Sequence, residues 1–150
     1  METQLFKPSA LAYKRVTGPY GENYELPCEQ LYQWSEEKGV ADSQWIFVYR
    51  DDPQVTSPQD CRTDICLLVP DDTEITGIVS KAHFDGGRYA FIRKVINDKS
   101  EYPLMWQQLL REAGKQFEWD DDRTCVCFEL YHSYDMETHI ADVSFCIAVK

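Results

Sequence analysis

The sequence predicts an α+β fold in which a strand-helix-strand-strand unit occurs twice. The first observation is that strand-like and helix-like segments follow the same order in both halves of the 150-residue chain. The second is that "KRV" precedes "CEQL" in the first half much as "RKV" precedes "WQQL" in the second. We expect one domain over residues 1–150, with repeats at about 8–76 and 77–150. The helices are expected on one face of antiparallel sheet, with pseudo-twofold symmetry and a ligand groove between the halves.

The first repeat is expected to contain one helix and three strands. Its helix is indicated by apolar residues at helical spacing, by Pro27 near the first turn and by Gly39 as the C-terminal stop. The turn-forming stretch "GPYGEN" ends the preceding strand, and an acidic loop with prolines joins the two following strands. The predicted segments are a strand over 10–17, the helix over 26–40, and strands over 44–50 and 64–70.

The second repeat is expected to contain the same elements, with "LMWQQLLREAGKQF" as its helix. Near its start, "FDGGRYAF" contains Gly86 and Gly87 but lacks both the phosphate-binding lysine motif and the GxGxxG pattern. We therefore interpret the two glycines as a hairpin turn or a bulge. The predicted segments are a strand over 87–96, the helix over 104–117, and strands over 124–131 and 141–149.

Glu129 lies in the middle of the apolar strand segment "CVCFELY". Uncompensated burial of an ionised carboxylate is costly, so such a residue either faces water or is kept for a purpose. Because successive side chains of a strand point to opposite faces, we expect Phe128 and Leu130 to face the helix, and Glu129 and Tyr131 to face the groove. A solvent-exposed strand residue is the alternative. A carboxylate among aromatic rings is the expected receptor for an organic cation.

Three aromatic residues, Trp45, Phe47 and Tyr49, alternate on the equivalent strand of the first half. The residues between them already supply an apolar core face, so we expect the three aromatic rings to face the groove. Ordinary packing against the sheet is the alternative and the commoner role of such residues. Trp106, at the start of the second helix, is expected at the rim of the groove.

Acidic residues outnumber basic ones by 26 to 15, which gives a formal net charge of −11. This charge is poorly suited to phosphate backbones, so we expect no direct nucleic-acid binding, whereas it favours the approach of cations. No stretch approaches the ~20 apolar residues that a membrane helix needs, and the N-terminus lacks a signal-peptide pattern. We expect a cytoplasmic protein without membrane contact, whose six cysteines are reduced.

Motifs for metal binding and for catalysis are weak. The three histidines fall in different segments, and Cys125-x-Cys127 alone is a weak metal signal. No nucleophile elbow and no Ser/His/Asp order is visible. We predict no metal, no cofactor and no catalytic residue. Glu129 acting as a general base on water has less support from the sequence than Glu129 acting in binding.

Four stretches together resemble the GyrI-like small-molecule-binding family, which includes DNA gyrase inhibitory proteins and effector-binding domains of AraC-type and MerR-type regulators. They are, in family order, "CEQLYQWSEEKGV", "VYRDDPQVTSPQDCRTDICLLVP", "GGRYAF" and "CFELY". The resemblance covers essentially the whole chain. It implies a duplicated strand-helix-strand-strand (SHS2-type) fold with a groove between the halves, and it places the binding-site glutamate of the family on Glu129.

The resemblance implies a free-standing module for amphipathic, often cationic small molecules, because the DNA-binding region of the regulator members is absent. Two alternatives stay open. "FDGGRYAF" is similar to the segment of the gyrase inhibitor implicated in acting on gyrase, which implies DNA gyrase as a partner. Some family members hydrolyse cyclopropane-bearing compounds with the same glutamate. The expected ligand-contacting residues are Glu129, Tyr131, Trp45, Phe47, Tyr49 and Trp106.

Overall fold

The computed structural model describes residues 1–150. Segments with alternating apolar residues form its strands, and segments with apolar residues at helical spacing form its helices. The protein is α+β, with eight strands and two helices, and the strand pairs are antiparallel. Neither helix combines the length and the apolar composition needed to cross a membrane. The elements are β1 (Thr3–Phe6), β2 (Ser9–Thr17), α1 (Glu25–Glu37), β3 (Gln44–Tyr49), a 3-10 turn (Pro58–Asp60), β4 (Arg62–Val69), β5 (Ser80–Phe84), β6 (Gly87–Ile96), α2 (Glu101–Gln116), β7 (Cys127–Tyr134) and β8 (Ala141–Ala148).

The chain divides into two compact units. The first unit is Pro8–Phe84, and the second unit combines Met1–Lys7 with Asp85–Lys150. The strands of the first unit lie in the order β3-β4-β2-β5, and those of the second unit in the order β1-β6-β8-β7. The chain order is β2-α1-β3-β4 in the first unit and β6-α2-β7-β8 in the second, so a strand-helix-strand-strand order occurs in each.

In the first unit, α1 covers one face of the strands. Its buried side carries Leu31 and Trp34, which belong to one apolar cluster with residues of β2 and β4. The indole N–H of Trp34 donates to the carbonyl of Thr76 at 2.9 Å, so the polar edge of the ring is satisfied. Burial of each large apolar side chain contributes about 1.5–3 kcal/mol, and this burial fixes the rotation of α1.

In the second unit, α2 covers one face of the strands in the same manner. Met105, Leu109 and Ala113 recur every four residues and form its buried side. They pack in one cluster with the apolar residues of β8 that point toward the helix, among them Val143 and Phe145. This packing holds the side of α2 that also carries Trp106 against β8.

The six predicted strands and both helices are present, with shifted ends. For example, α2 begins at Glu101 rather than at residue 104, because the Glu101 carboxylate accepts the backbone N–H groups of Asn97 and Asp98 at 2.7 and 2.9 Å. The sequence does not predict β1 or β5. Both are short strands at the end of the strand order in their unit, and such strands lack a clear apolar alternation.

Of the two predicted alternatives at Gly86 and Gly87, a hairpin turn or a bulge, the hairpin turn is wrong. β5 pairs with β2, whereas β6 pairs with β1 and β8. The two glycines have φ angles of +68° and +102°, which L side chains rarely adopt. A Cβ atom on Gly87 would also lie 2.7 Å from Cζ of Arg123. Backbone conformation and this close approach therefore explain the glycine pair.

The helix of the second unit covers the opposite face of β7 from the predicted one. Glu129 pairs with Phe145 of β8, and the Phe145 ring meets the ring of Trp106 in α2 at a centroid separation of 5.7 Å. Glu129 therefore lies on the helix-covered face. Phe128 lies on the other face, where aromatic rings of β1 and β6 stand 5.6 and 4.9 Å from its own. The structure confirms that Phe128 and Glu129 point to opposite faces of β7, as predicted.

The same correction applies to β3 in the first unit. Trp45 and Phe47 pack against the cluster that contains the buried side of α1. Ile46 and Val48 occupy the opposite face and are fully buried. Since both faces of the strand are apolar, the alternation indicates which residues share a face but not which face the helix covers.

Candidate functional site

The carboxylate of Glu129 in β7 is almost completely enclosed, with 2% of the residue exposed. The indole Nε1–H of Trp106 donates to Oε2 at 2.7 Å, and the hydroxyl of Tyr131 donates to Oε1 at 3.0 Å. Each carboxylate oxygen thus accepts a hydrogen bond from a neutral aromatic side chain. These bonds offset part of the cost of removing the carboxylate from water.

Helix α2 and strand β7 position the two hydrogen-bond donors, Trp106 and Tyr131. Burial of Met105 and Leu109 fixes α2, so that Trp106 lies on the flank of the helix that faces β7 and β8. Its ring meets Phe145 edge-on, with an interplanar angle of 85°. Tyr131 follows Glu129 by two residues and therefore projects from the same face of β7.

Tyr102 belongs to the same aromatic group, although the sequence pattern does not single it out. Its ring centroid lies 5.9 Å from that of Phe145, and it packs against the same apolar cluster as Trp106 and Tyr131. Tyr102 precedes Trp106 by four residues, so the two side chains share one side of α2. This spacing of two aromatic residues on one helix is the signal by which Tyr102 can be found.

Burial raises the pKa of Tyr131 far above its ordinary value, and the negative charge of Glu129 acts in the same direction. Burial also raises the pKa of Tyr102, while its hydrogen bond with Tyr131 acts in the opposite direction. Both phenols are therefore protonated at neutral pH and available as hydrogen-bond donors. The environment is poorly hydrated, so a cation placed beside Glu129 gains more Coulomb attraction than it does in water.

The structure brings the predicted site residues Glu129, Tyr131 and Trp106 together in the second unit. The other three predicted site residues belong to the first unit and take part in aromatic packing there. The ring of Phe47 lies 5.6 Å from Tyr24, and the ring of Tyr49 lies 4.8 Å from Tyr20. Trp45 is half-buried and packs with Phe47 on the side of β3 that α1 covers.

A model of the GyrI-like small molecule binding domain matches residues 3–150. The chain belongs to this family. A DNA gyrase inhibitor from Citrobacter rodentium is 27% identical over 139 residues, which cover 90% of this chain and 87% of that protein. A hydrolase from Listeria innocua has a similar structure, with a TM-score of 0.71 at 11% identity over 99% of this chain and 91% of that one. A protein solved bound to tetraphenylphosphonium has a TM-score of 0.62 at 12% identity over 99% and 93% of the two chains.

These comparisons confirm the family that the four sequence stretches predict, and with it a small-molecule-binding domain. The α+β fold of the GyrI-like chain is also that of the two solved structures. Glu129 and its aromatic neighbours therefore lie in a domain whose family binds small molecules.

The Glu129 carboxylate of this GyrI-like domain does not line either of two open depressions on the surface. Their volumes are about 520 Å³ in the second unit and about 500 Å³ in the first. Because only 2% of Glu129 is exposed, a ligand contacts the carboxylate only after enclosing side chains move. No group of three or more metal-binding side chains is present. The depression of the second unit is lined by Met1, Glu2, Phe91, Ile92, Gln108, Glu112, Lys115 and Gln116, and that of the first by Ala10, Asp71, Lys81, Ala82 and His83.

Proposed function

We propose that this GyrI-like domain binds amphipathic hydrophobic cations, and that Glu129 neutralises the charge of the ligand. The observation that carries the proposal is a 2% exposed carboxylate contacted by two neutral donors, Trp106 and Tyr131. Keeping a carboxylate in such surroundings is costly for folding, so a functional purpose is needed to explain it. Binding an organic cation is such a purpose, because a cation also makes favourable contacts with the aromatic rings beside Glu129.

Two attractions favour a cation at this position. Coulomb attraction increases in surroundings of low dielectric constant. The rings of Trp106, Tyr131 and Tyr102 offer aromatic faces, and cation–π contacts contribute about 0.5–2 kcal/mol each. A ligand that combines delocalised positive charge with flat apolar surface uses both attractions.

The overall charge and one fold relative support the same class of ligand. A net charge of −11 raises the local concentration of cations around the protein. The fold relative solved bound to tetraphenylphosphonium supports the choice of a permanently charged, aromatic cation as a probe.

The aromatic residues of the first unit, Trp45, Phe47 and Tyr49, are proposed as further ligand-contacting residues. Tyr49 and Phe47 are half-buried. Replacement of Phe47 by Leu tests this part of the proposal, because it keeps apolar volume and removes the aromatic face. We expect weaker binding of an aromatic cation by Phe47→Leu; unchanged binding rules out a contact with this ring.

The proposal includes a single ligand-binding domain made of two internal repeats, at about residues 8–76 and 77–150. Its support is the strand-helix-strand-strand order found in each unit. The repeats are expected to resemble each other in backbone geometry, which superposition of β2-α1-β3-β4 on β6-α2-β7-β8 measures.

Fluorescence anisotropy with a rhodamine-type cation tests the role of Glu129. Glu129→Gln removes one negative charge and keeps the size of the side chain, so we expect its dissociation constant to rise by about 10-fold or more. Circular dichroism before each titration establishes that the variant is folded.

Glu118→Gln is the matched control. Glu118 belongs to the same unit, its side chain is 82% exposed, and its replacement changes the net charge by the same amount. We expect binding by Glu118→Gln to stay within about 2-fold of the parent, because an exposed charge is screened by solvent. If Glu129→Gln binds as tightly as Glu118→Gln, the electrostatic part of the proposal is wrong.

Inhibition of DNA gyrase by protein contact is the second candidate function. The observation that favours it is the similarity to the Citrobacter rodentium DNA gyrase inhibitor, at 27% identity over 90% of this chain. A supercoiling assay with purified gyrase is the test. Dose-dependent inhibition supports this function, and full supercoiling activity at micromolar protein removes it.

Hydrolysis of cyclopropane-bearing compounds is the third candidate. It is favoured by the Tyr131 hydroxyl 3.0 Å from the Glu129 carboxylate and by the fold relative described as a hydrolase. A carboxylate can act as a general base on water, with a phenol as its partner. Mass spectrometry after incubation with such an electrophile must show water addition that Glu129→Gln abolishes; no addition removes this candidate.

A further inference from the structure

Two further side chains continue the line that begins with Glu129 on the helix-covered face of the second unit. Their partners are alternate residues of β8, which point to one face because side chains of a strand alternate. The pairs along this line are Glu129 with Phe145, Cys127 with Ile147, and Trp119 with Val149. Trp119 therefore lies on the same face as Glu129, about 13 Å farther along the sheet.

Trp119 also lies on the same edge of β8 as β7. The backbone N–H of Ala148 donates to the carbonyl of Val126, the residue before β7, at 2.8 Å, and the carbonyl of Ala148 accepts the N–H of Asp120 at 3.0 Å. The N–H and the carbonyl of one residue in an antiparallel strand point to the same neighbour. The short segment that carries Trp119 thus continues the line of β7.

Helix α2 runs alongside this line and approaches it at two points. The indole of Trp106 donates to Glu129 at 2.7 Å, and a Cβ atom on Gly114 would lie 3.4 Å from Cζ2 of Trp119. Trp106 and Gly114 are eight residues apart, which corresponds to about 12 Å along a helix. This length matches the separation of Glu129 and Trp119 along the sheet, so the helix flank and the line of side chains stay adjacent between the two points.

Leu110 lies midway between the two points of approach. It follows Trp106 by four residues and precedes Gly114 by four, so it projects from the same flank of α2. Cys127 lies at the corresponding midpoint on the strand side. Leu110 is 44% exposed, and Cys127 is partly exposed, so the space between them adjoins solvent.

Leu110, Cys127 and Trp119 form an apolar strip that begins at the enclosed carboxylate of Glu129. Cys127 and Trp119 pack against the same buried cluster as Trp106, but neither is fully buried. None of the three side chains carries a formal charge, and a thiol behaves as a small apolar group. The strip therefore offers apolar surface next to a negative charge.

We infer that the apolar strip takes the hydrocarbon tail of a cation whose charged group lies at Glu129. This inference rests on the proposed binding of hydrophobic cations and narrows it to organic cations with an alkyl tail. On the other side of Glu129 the line continues with Tyr131, whose hydroxyl group donates to the carboxylate. An alkyl tail therefore gains apolar contact in one direction from the carboxylate, toward Trp119.

Calorimetric titration with alkyltrimethylammonium ions tests the strip, with tails from butyl to decyl and each ion below its micelle-forming concentration. Complete removal of a methylene from water strengthens binding by about 4-fold, so we expect the affinity of the parent to rise by about 2- to 4-fold per methylene. Leu110→Gln keeps a side chain of similar length and adds a polar group, so we expect it to reduce this gain to less than about 2-fold.

Trp119→Leu is the second variant, and it acts at the far end of the strip. It removes the indole ring and keeps an apolar side chain, so we expect it to reduce the gain for the longest tails and to leave the gain for the shortest tails unchanged. Circular dichroism establishes that each variant is folded.

Leu104→Gln is the matched control. Leu104 belongs to the same helix and is 61% exposed, but it precedes Trp106 by two residues and so projects from a different side of α2. We expect it to keep the parental gain per methylene. A gain that both Leu110→Gln and Trp119→Leu retain, or that Leu104→Gln reduces as much as Leu110→Gln does, overturns the tail site.

Glu129→Gln in the same series separates the tail site from the proposed function. It is expected to weaken binding by a similar factor at every tail length, because it removes the charge and leaves the strip intact. Unchanged affinity in Glu129→Gln contradicts the role of the carboxylate, whereas an unchanged gain per methylene in the two strip variants contradicts only the tail site. If no ion of the series binds the parent, the tail site is overturned, and the rhodamine titration still decides on Glu129.

Discussion

Trp106 and Tyr131 hold the Glu129 carboxylate through one hydrogen bond to each oxygen, at 2.7 and 3.0 Å. A hydrogen bond to a charged group contributes more than one between neutral groups, about 1.5–3 kcal/mol against 0.5–1.5 kcal/mol. At the residue scale, the site therefore depends on donors that make a buried carboxylate tolerable inside the fold. Two single replacements test this dependence.

Trp106→Phe is expected to destabilise the protein by about 1.5–3 kcal/mol, because it removes the indole donor and leaves a carboxylate oxygen of Glu129 without that bond. Urea unfolding measures the loss. Trp34→Phe is the matched control, since the indole of Trp34 donates to a neutral carbonyl, that of Thr76, at 2.9 Å. If the two replacements have equal effects, the charge of the Glu129 acceptor contributes nothing.

Tyr131→Phe is expected to reduce the loss of stability at alkaline pH. Burial raises the pKa of Tyr131 in the folded protein above its ordinary value of 10.0. Above that pH the unfolded chain releases the phenolic proton while the folded protein keeps it, so stability falls as pH rises, by up to about 1.4 kcal/mol per pH unit. Urea unfolding at about pH 9 and about pH 11 gives the slope for the parent and for the variant.

Tyr32→Phe is the control for this slope, because Tyr32 is 47% exposed. We expect Tyr32→Phe to keep the parental slope and Tyr131→Phe to have a shallower one. Equal slopes for the parent and Tyr131→Phe contradict a protonated Tyr131 in the folded protein at high pH.

At the element scale, the sequence was sufficient to predict six strands, both helices and which residues of a strand share a face. Leu31 and Leu109, for instance, fall on the buried sides of helices that the spacing of apolar residues predicts. The face of β7 that α2 covers was not predictable. Phe128 and Leu130 lie on one face and Cys127 and Tyr131 on the other, and both pairs are apolar enough to be buried. The contacts of Trp106 with Phe145 and with Glu129 decide between the faces.

For the site, the sequence was sufficient to group Glu129 with Tyr131 and to select Trp106, but not to select Tyr102. The one signal for Tyr102 is its spacing of four residues from Trp106 on the same helix. Its relevance depends on the rotation of α2, which the buried side of the helix sets, and on the contact of its ring with Phe145.

Leu109→Ala tests the packing that sets this rotation. Leu109 is fully buried in α2, so its truncation is expected to cost about 2–5 kcal/mol. The neighbouring Leu110 is 44% exposed, and Leu110→Ala is expected to change stability by less than about 1 kcal/mol. Urea unfolding compares the two; a larger loss for Leu110→Ala contradicts the assigned buried side of α2.

At the scale of the whole molecule, the net charge of −11 acts on the approach of a ligand rather than on its final contacts. Exposed charges are screened by salt, whereas a carboxylate that is 2% exposed is screened much less. Steering and binding therefore respond differently to ionic strength.

Raising the salt concentration is expected to slow the association of a rhodamine-type cation and to leave its dissociation rate almost unchanged. Stopped-flow fluorescence measures both rates. A dissociation rate that rises with salt as strongly as the association rate falls indicates that the ligand pairs with exposed charges instead of Glu129.

The most direct test of the central claim compares tetraphenylphosphonium with tetraphenylborate, two ions of similar size and shape and of opposite charge. Isothermal titration calorimetry of the parent, Glu129→Gln and Glu118→Gln separates shape from charge. We predict that the parent and Glu118→Gln bind the cation at least about 10-fold more tightly than the anion, and that Glu129→Gln loses most of this preference. A preference for the cation that survives intact in Glu129→Gln contradicts the assignment of Glu129 as the residue that neutralises the ligand.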